Sequence, residues 1–138
     1  MALEQATVAS AVISVADLDR SVDFYRDVFE CEVSLREGEA ALMLAPGGFQ
    51  LYLIEKGSRA QHPSGGIGVQ YLMWAIDSPA GLAGLEQSLH ARDRHTHAHT
   101  RGGVRFVESQ DPDGIRLVIA QPSPDERPRS MLDLLLYL

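Results

Sequence analysis

The sequence predicts an α+β protein built from two β-α-β-β-β modules, and three observations predict it. A run rich in β-branched residues stands at 8–15 and is followed by an amphipathic helical pattern that opens at Asp17. The same order returns at 71–76 and Ser78. After each helix, three short apolar segments follow, separated by turns carrying glycine or proline.

In the first module, Ala11, Ile13 and Val15 share one strand face, while Ser10, Val12 and Ser14 share the other. Asp17 supplies an N-cap acceptor, and Leu18, Val22, Tyr25 and Phe29 then recur at helical spacing among Asp19, Arg20, Asp23 and Arg26. Strands are predicted at 32–36, 40–45 and 49–55, broken by Glu37-Gly38 and Pro46-Gly47-Gly48. Phe24 and Tyr25 read as core.

Residues 56–68 carry Gly57, Pro63, Gly65, Gly66 and Gly68 without an apolar period, and read as a linker. The Gly65–Gly68 run precedes a strand and lacks the Lys-Ser/Thr ending of a phosphate-binding loop. His62 lies within the same stretch.

The second module opens with a strand at 71–76, where alternation puts Trp74 on the helix-facing side. Ser78-Pro79 pairs a cap acceptor with proline at the first helical position. Leu82, Leu85 and Leu89 make the apolar stripe, although Gly84 costs about 1 kcal/mol relative to alanine. His90 sits near the end of this helix, where an imidazolium favours the dipole. Strands are predicted at 95–100, 104–109 and 115–120, the last entered through Asp111-Pro112-Asp113-Gly114, with Asp111 as turn acceptor.

Aligning Asp17 with Ser78 also aligns Val15 with Ile76 and Ser10 with Tyr71. Aligning Gly48 with Gly114 brings Tyr52 onto Val118. Neither half can bury a sheet face alone, which is the physical reason to pair them. The chain therefore reads as one domain over 1–138, with module one at 7–55, the linker at 56–68, module two at 69–121 and a tail at 122–138. That tail ends in an apolar patch beginning at Met131, which either packs on its own domain or makes a dimer contact.

Composition narrows the function classes. With 138 residues and 45% hydrophobic content, one core can form without disulfides. The lone Cys31 has no intrachain partner, reads as a small buried filler, and suits a reducing cytoplasm. A net charge of -7 argues against nucleic acid, whose phosphates need clustered Lys and Arg, and suits a neutral or cationic small molecule. Glu4 stands where a signal peptide is basic, and no segment reaches transmembrane length, so a soluble cytoplasmic protein without membrane partners is expected.

The stretch from Val12 to Arg26, VISVADLDRSVDFYR, resembles the opening strand and helix of the vicinal-oxygen-chelate superfamily, and the stretch from Asp111 to Val118, DPDGIRLV, resembles its closing turn and strand. The resemblance runs from Thr7 to Gln121. It implies two paired modules whose sheets form one curved mixed sheet around a cavity, often across a homodimer. It also implies kinship with glyoxalases, extradiol dioxygenases, fosfomycin-modifying enzymes and bleomycin-binding resistance proteins, most of whose enzymes hold a divalent metal.

The family's metal-ligand positions fall at Ser10, Tyr52, Tyr71 and Val118. Neutral hydroxyls are poor ligands for a catalytic ion and valine is none, so no family-type metal and no cofactor is expected. The same face would be lined by Ser10, Val12, Ser14, Gln50, Tyr52, Tyr71, Met73, Ala75, Arg116 and Val118, which suits a small aromatic or amphipathic ligand unless the tyrosines merely fill space.

The tract from His95 to Thr100 is a competing signal, since period two would put His95, His97 and His99 on one face. It brings no local carboxylate with it. Glu55 and Glu108 are strand acids read as surface groups rather than general bases. The expected function is metal-independent binding of a small organic ligand such as an antibiotic. The alternative is a lyase or dioxygenase-type enzyme using the histidine row as metal donors or tyrosines as acid-base groups.

Overall fold

The computed structural model describes residues 8–57, 69 and 71–122. The linker glycines Gly65, Gly66 and Gly68, His62, and the tail from residue 123 onward lie outside them. Contacts divide the chain into two units, Met1–Gln61 and His62–Leu138.

The first unit holds β1 (Ser10–Val15), α1 (Leu18–Phe29), β2 (Glu32–Glu37), β3 (Ala40–Leu44) and β4 (Gln50–Glu55). Its sheet runs β1-β4-β3-β2, with β1 parallel to β4 and the other pairs antiparallel. Asp17 caps α1 as predicted, its carboxylate accepting from the Arg20 amide at 3.1 Å. Glu55, read from sequence as a surface acid, accepts from the Leu18 amide at 2.9 Å and so ties the end of β4 to the start of the helix. The helix ends at Glu30 in the left-handed region (φ 57°), where the Glu30 and Cys31 amides both reach the Tyr25 carbonyl. Tyr25, Phe24 and Phe29 pack edge-on or stacked within 6.1 Å of one another. Met43, Leu51 and Leu53 are fully buried on the alternate positions of β3 and β4. Cys31 is buried, and burial pushes its thiol up to about 11, the behaviour of a structural cysteine.

The second unit repeats the plan with β5 (Leu72–Ala75), α2 (Pro79–Arg92), β6 (His97–Arg101), β7 (Val104–Gln110) and β8 (Arg116–Gln121). Its sheet runs β5-β8-β7-β6, again with the first pair parallel. Ser78 caps α2 through the Gly81 amide at 3.0 Å. Gly81 lets Ile76 pack close against the first turn, since a Cβ there would stand 2.9 Å from Ile76 Cδ1 and push that side chain aside. Leu82 and Leu89 are buried as the stripe predicts, whereas Leu85 is only half-buried. His90 lies in the last turn of α2. Asp111 accepts from the Asp113 and Ile115 amides at 2.8 and 2.9 Å, and Gly114 takes the positive φ (82°) that this turn needs. Among the described residues no helix is long and apolar enough to cross a membrane.

One predicted element needs correction. The strand expected to begin at His95 begins at His97, and His95 lies in a turn closed by the Thr96 amide donating to the Asp93 carbonyl. The Asp93 carboxylate also accepts from the His95 amide at 3.0 Å. A local aspartate bond thus outcompetes strand extension.

Candidate ligand-binding face

Each sheet has one face turned toward its helix and one turned away. In the first unit the pleat puts Ser10, Val12 and Ser14 of β1 beside Gln50, Tyr52 and Ile54 of β4 on the open face. Ser10 and Ser14 are exposed and Val12 is 64% exposed. Tyr52 donates its hydroxyl to Gln50 Oε1 at 3.3 Å.

In the second unit the corresponding row places Met73 beside Val118. The internal alignment drawn from sequence is therefore reproduced in register, since Val12 pairs with Tyr52 as Met73 pairs with Val118. Tyr71 and Met73 pack on a buried cluster of Val104, Phe106, Val118 and Ala120. Ala75 pairs with Ala120 on the same face.

The row continues into charged chemistry that the sequence reading dispersed. Val118 pairs with Glu108, and Glu108 pairs with His97. Glu108 Oε1 accepts from Arg116 Nη2 at 2.6 Å and Nε at 3.2 Å. Its other oxygen accepts from His99 Nε2 at 2.9 Å and stands 3.4 Å from His97 Nε2. The Arg116 guanidinium also lies 4.7 Å over the Tyr71 ring. His99 stacks on Phe106 with ring centres 5.3 Å apart. Burial opposes ionisation of Glu108, but the hydrogen bonds from Arg116 and His99, with the charge of Arg116, win and hold its carboxyl below the usual range.

Two expectations change here. Glu108 is not a lone surface acid, because its side chain is 17% exposed and three neighbours converge on it. The histidine row has a carboxylate after all, although only His97 and His99 belong to the row. A sequence signal for this exists in Gly102-Gly103, whose positive φ values (56° and 77°) fit a two-residue hairpin. Counting outward from such a turn pairs Arg101 with Val104 and so His97 with Glu108.

The donor set does not fit the family's divalent metal. Ser10 and Tyr52 offer neutral hydroxyls, Tyr71 has a guanidinium over its ring, and Val118 is fully buried and apolar. The arginine adds a positive charge where a cation would need negative ones. Among the described residues, no group of three or more His, Cys, Asp or Glu is arranged to hold a metal ion.

Residues 7–119 match the model of the Glyoxalase/Bleomycin resistance protein/Dioxygenase superfamily. The chain belongs to this superfamily. Among solved structures, a glyoxylase/bleomycin resistance protein/dioxygenase domain from Frankia sp. EAN1pec is similar with a TM-score of 0.71 at 19% identity, covering 91% of this chain and 98% of that one. A lactoylglutathione lyase from Agrobacterium tumefaciens is similar with a TM-score of 0.65 at 23% identity, covering 84% and 93%. The oxidase ChaP-H2 is similar with a TM-score of 0.61 at 18% identity, covering 85% and 94%. At these identities the likeness speaks for the superfamily's fold alone. Comparison of the sequence with curated proteins returns no match.

Proposed function

We propose that this superfamily member binds a small organic molecule without a metal, on the open faces lined by Ser10, Val12, Ser14, Gln50 and Tyr52 in one unit and by Tyr71, Met73, Arg116 and Val118 in the other. The observation that carries the reading is Arg116, whose guanidinium covers Tyr71 and neutralises Glu108 beside the buried Val118. A cation already lies beside two of the metal-ligand positions, Tyr71 and Val118, and the other two, Ser10 and Tyr52, offer only neutral hydroxyls. Aromatic rings and a methionine next to a few fixed polar groups suit a flat, weakly polar ligand. Sequestration of such a molecule, as a resistance protein does, needs no further chemistry.

The reading extends to the whole chain as one functional domain, a cytoplasmic homodimer with no nucleic-acid partner. Its charge of -7 and its single buried cysteine support that setting. The test is calorimetry with a small aromatic probe, 4-nitroanisole, before and after exhaustive chelation, alongside metal analysis of the purified protein. Binding should survive chelation and fall about tenfold in Tyr71→Ala, the loss of one buried aromatic contact. A stoichiometric transition metal whose removal abolishes binding would overturn the proposal.

A further inference from the structure

One buried nitrogen of the ion network in the second unit has its hydrogen-bonding capacity unused. Among the described residues, His99 Nδ1 is buried and has no hydrogen-bond partner. The network dictates what that atom is. Arg116 gives two N–H groups to Glu108 Oε1, so the carboxyl stays ionised and can only accept. His99 Nε2, 2.9 Å from the other oxygen, must then carry the hydrogen. In the neutral ring Nδ1 is left as a lone pair, an acceptor without a donor. A buried acceptor left without a donor carries its desolvation penalty uncompensated, and a ligand donor would recover it.

The ring is also held for the task. Phe106 stacks on it at 5.3 Å and 25°, and His97 lies beside it at 6.2 Å and 27°. Among the described residues, Glu108 and His97 lie against it, and Arg116 stands behind Glu108. Their arrangement is that of a carboxylate that fixes an imidazole's tautomer and steadies the imidazolium once a proton arrives.

We propose that Glu108 and His99 form a metal-free proton-accepting dyad, and that the ligand is a small planar hydroxyaromatic or enol whose acidic hydroxyl donates to His99 Nδ1. The inference rests on the small-molecule reading above and names its ligand class. If transfer completes, the ligand O–H bond breaks, its electron pair stays on the ligand oxygen as an oxyanion, and the proton resides on Nδ1. The new imidazolium is balanced by the ligand oxyanion it has just formed, while Glu108 goes on accepting its Nε2–H across the ring. No oxidant or metal enters the step.

The test compares two probes, 4-nitrophenol and 4-nitroanisole, by nitrogen and carbon NMR of the intact protein, with binding measured below the pH at which the phenol ionises so that the two differ only in the donor. At neutral pH the free protein should show His99 hydrogen on Nε2, and Glu108→Gln should mix the two tautomers. Nitrophenol should shift the Nδ1 resonance and bind about tenfold more tightly than nitroanisole. His99→Phe, which keeps the stacked ring, should make the two probes equal. Finding the hydrogen on Nδ1 in the free protein overturns the dyad and leaves the small-molecule reading standing. So does equal binding of both probes to the wild type. Failure of either probe to move the Tyr71 and Met73 signals overturns the small-molecule reading as well.

Discussion

The sheet faces turned away from the two helices share a register and differ in chemistry at nearly every matched position. The row Val12–Tyr52–Leu42–Leu35 in the first unit corresponds to Met73–Val118–Glu108–His97 in the second. One row further, Ser14–Ile54–Ala40–Glu37 corresponds to Ala75–Ala120–Phe106–His99. Gln50 corresponds to Arg116. An uncharged row crosses one sheet where an ion network crosses the other, on the same backbone plan. The β-α-β-β-β plan thus sets only where side chains meet. Which chemistry they make is decided position by position.

The largest effect separating the faces should come from Phe106→Ala. Phe106 is 1% exposed and stacked under His99, and its loss should cost about 3–5 kcal/mol in chemical unfolding. Ala40→Gly, at the matched position, should cost about 1 kcal/mol or less. Similar losses at both sites would erase the distinction between a packed and an open face.

Next in size is a transplant of the first unit's chemistry into the second. Glu108→Leu strands a partly buried Arg116 and removes the His99 acceptor, and should cost about 1–3 kcal/mol. Adding Arg116→Gln recreates the Leu42 and Gln50 pair, and should bring stability back to within about 1 kcal/mol of wild type, as apolar replacement of a buried ion pair does. If the single variant loses nothing, solvent already carries Arg116 and the network is ornamental.

A smaller effect follows from acid. The Glu108 carboxyl is held below its ordinary value of 4.5 in the folded protein, so its contribution is fully present above that value and is lost as pH falls through the depressed one. The stability gap between wild type and Glu108→Gln should therefore hold above pH 4.5 and narrow as pH falls below it. A gap that stays constant or widens contradicts the sign. The smallest contrast should come from the caps, since Asp17→Ala and Ser78→Ala remove equivalent bonds and should cost about 1 kcal/mol each in thermal unfolding. Unequal losses would show that one helix relies on its cap more than the other.

Much of the fold was legible because its signals are local. Strand alternation at 10–15, the caps Asp17 and Ser78, and the turn at 111–114 each carry their meaning within a few residues. The strand start at His95 was misread because Asp93 holds the His95 amide, a side-chain bond that periodicity does not register. Glu55 looked like a spare acid because its partner, the Leu18 amide, is far away in sequence.

The sequence by itself determined the two-module order, the face on which Ser10, Tyr52, Tyr71 and Val118 would lie, and the poverty of that set as metal donors. These depend on pleat, spacing and donor chemistry, all of which travel with the chain. Only the tertiary structure decided that Arg116, Glu108 and His99 act together. They come from β8, β7 and β6, and their meeting depends on cross-strand register, a long-range geometry that sequence periodicity leaves open.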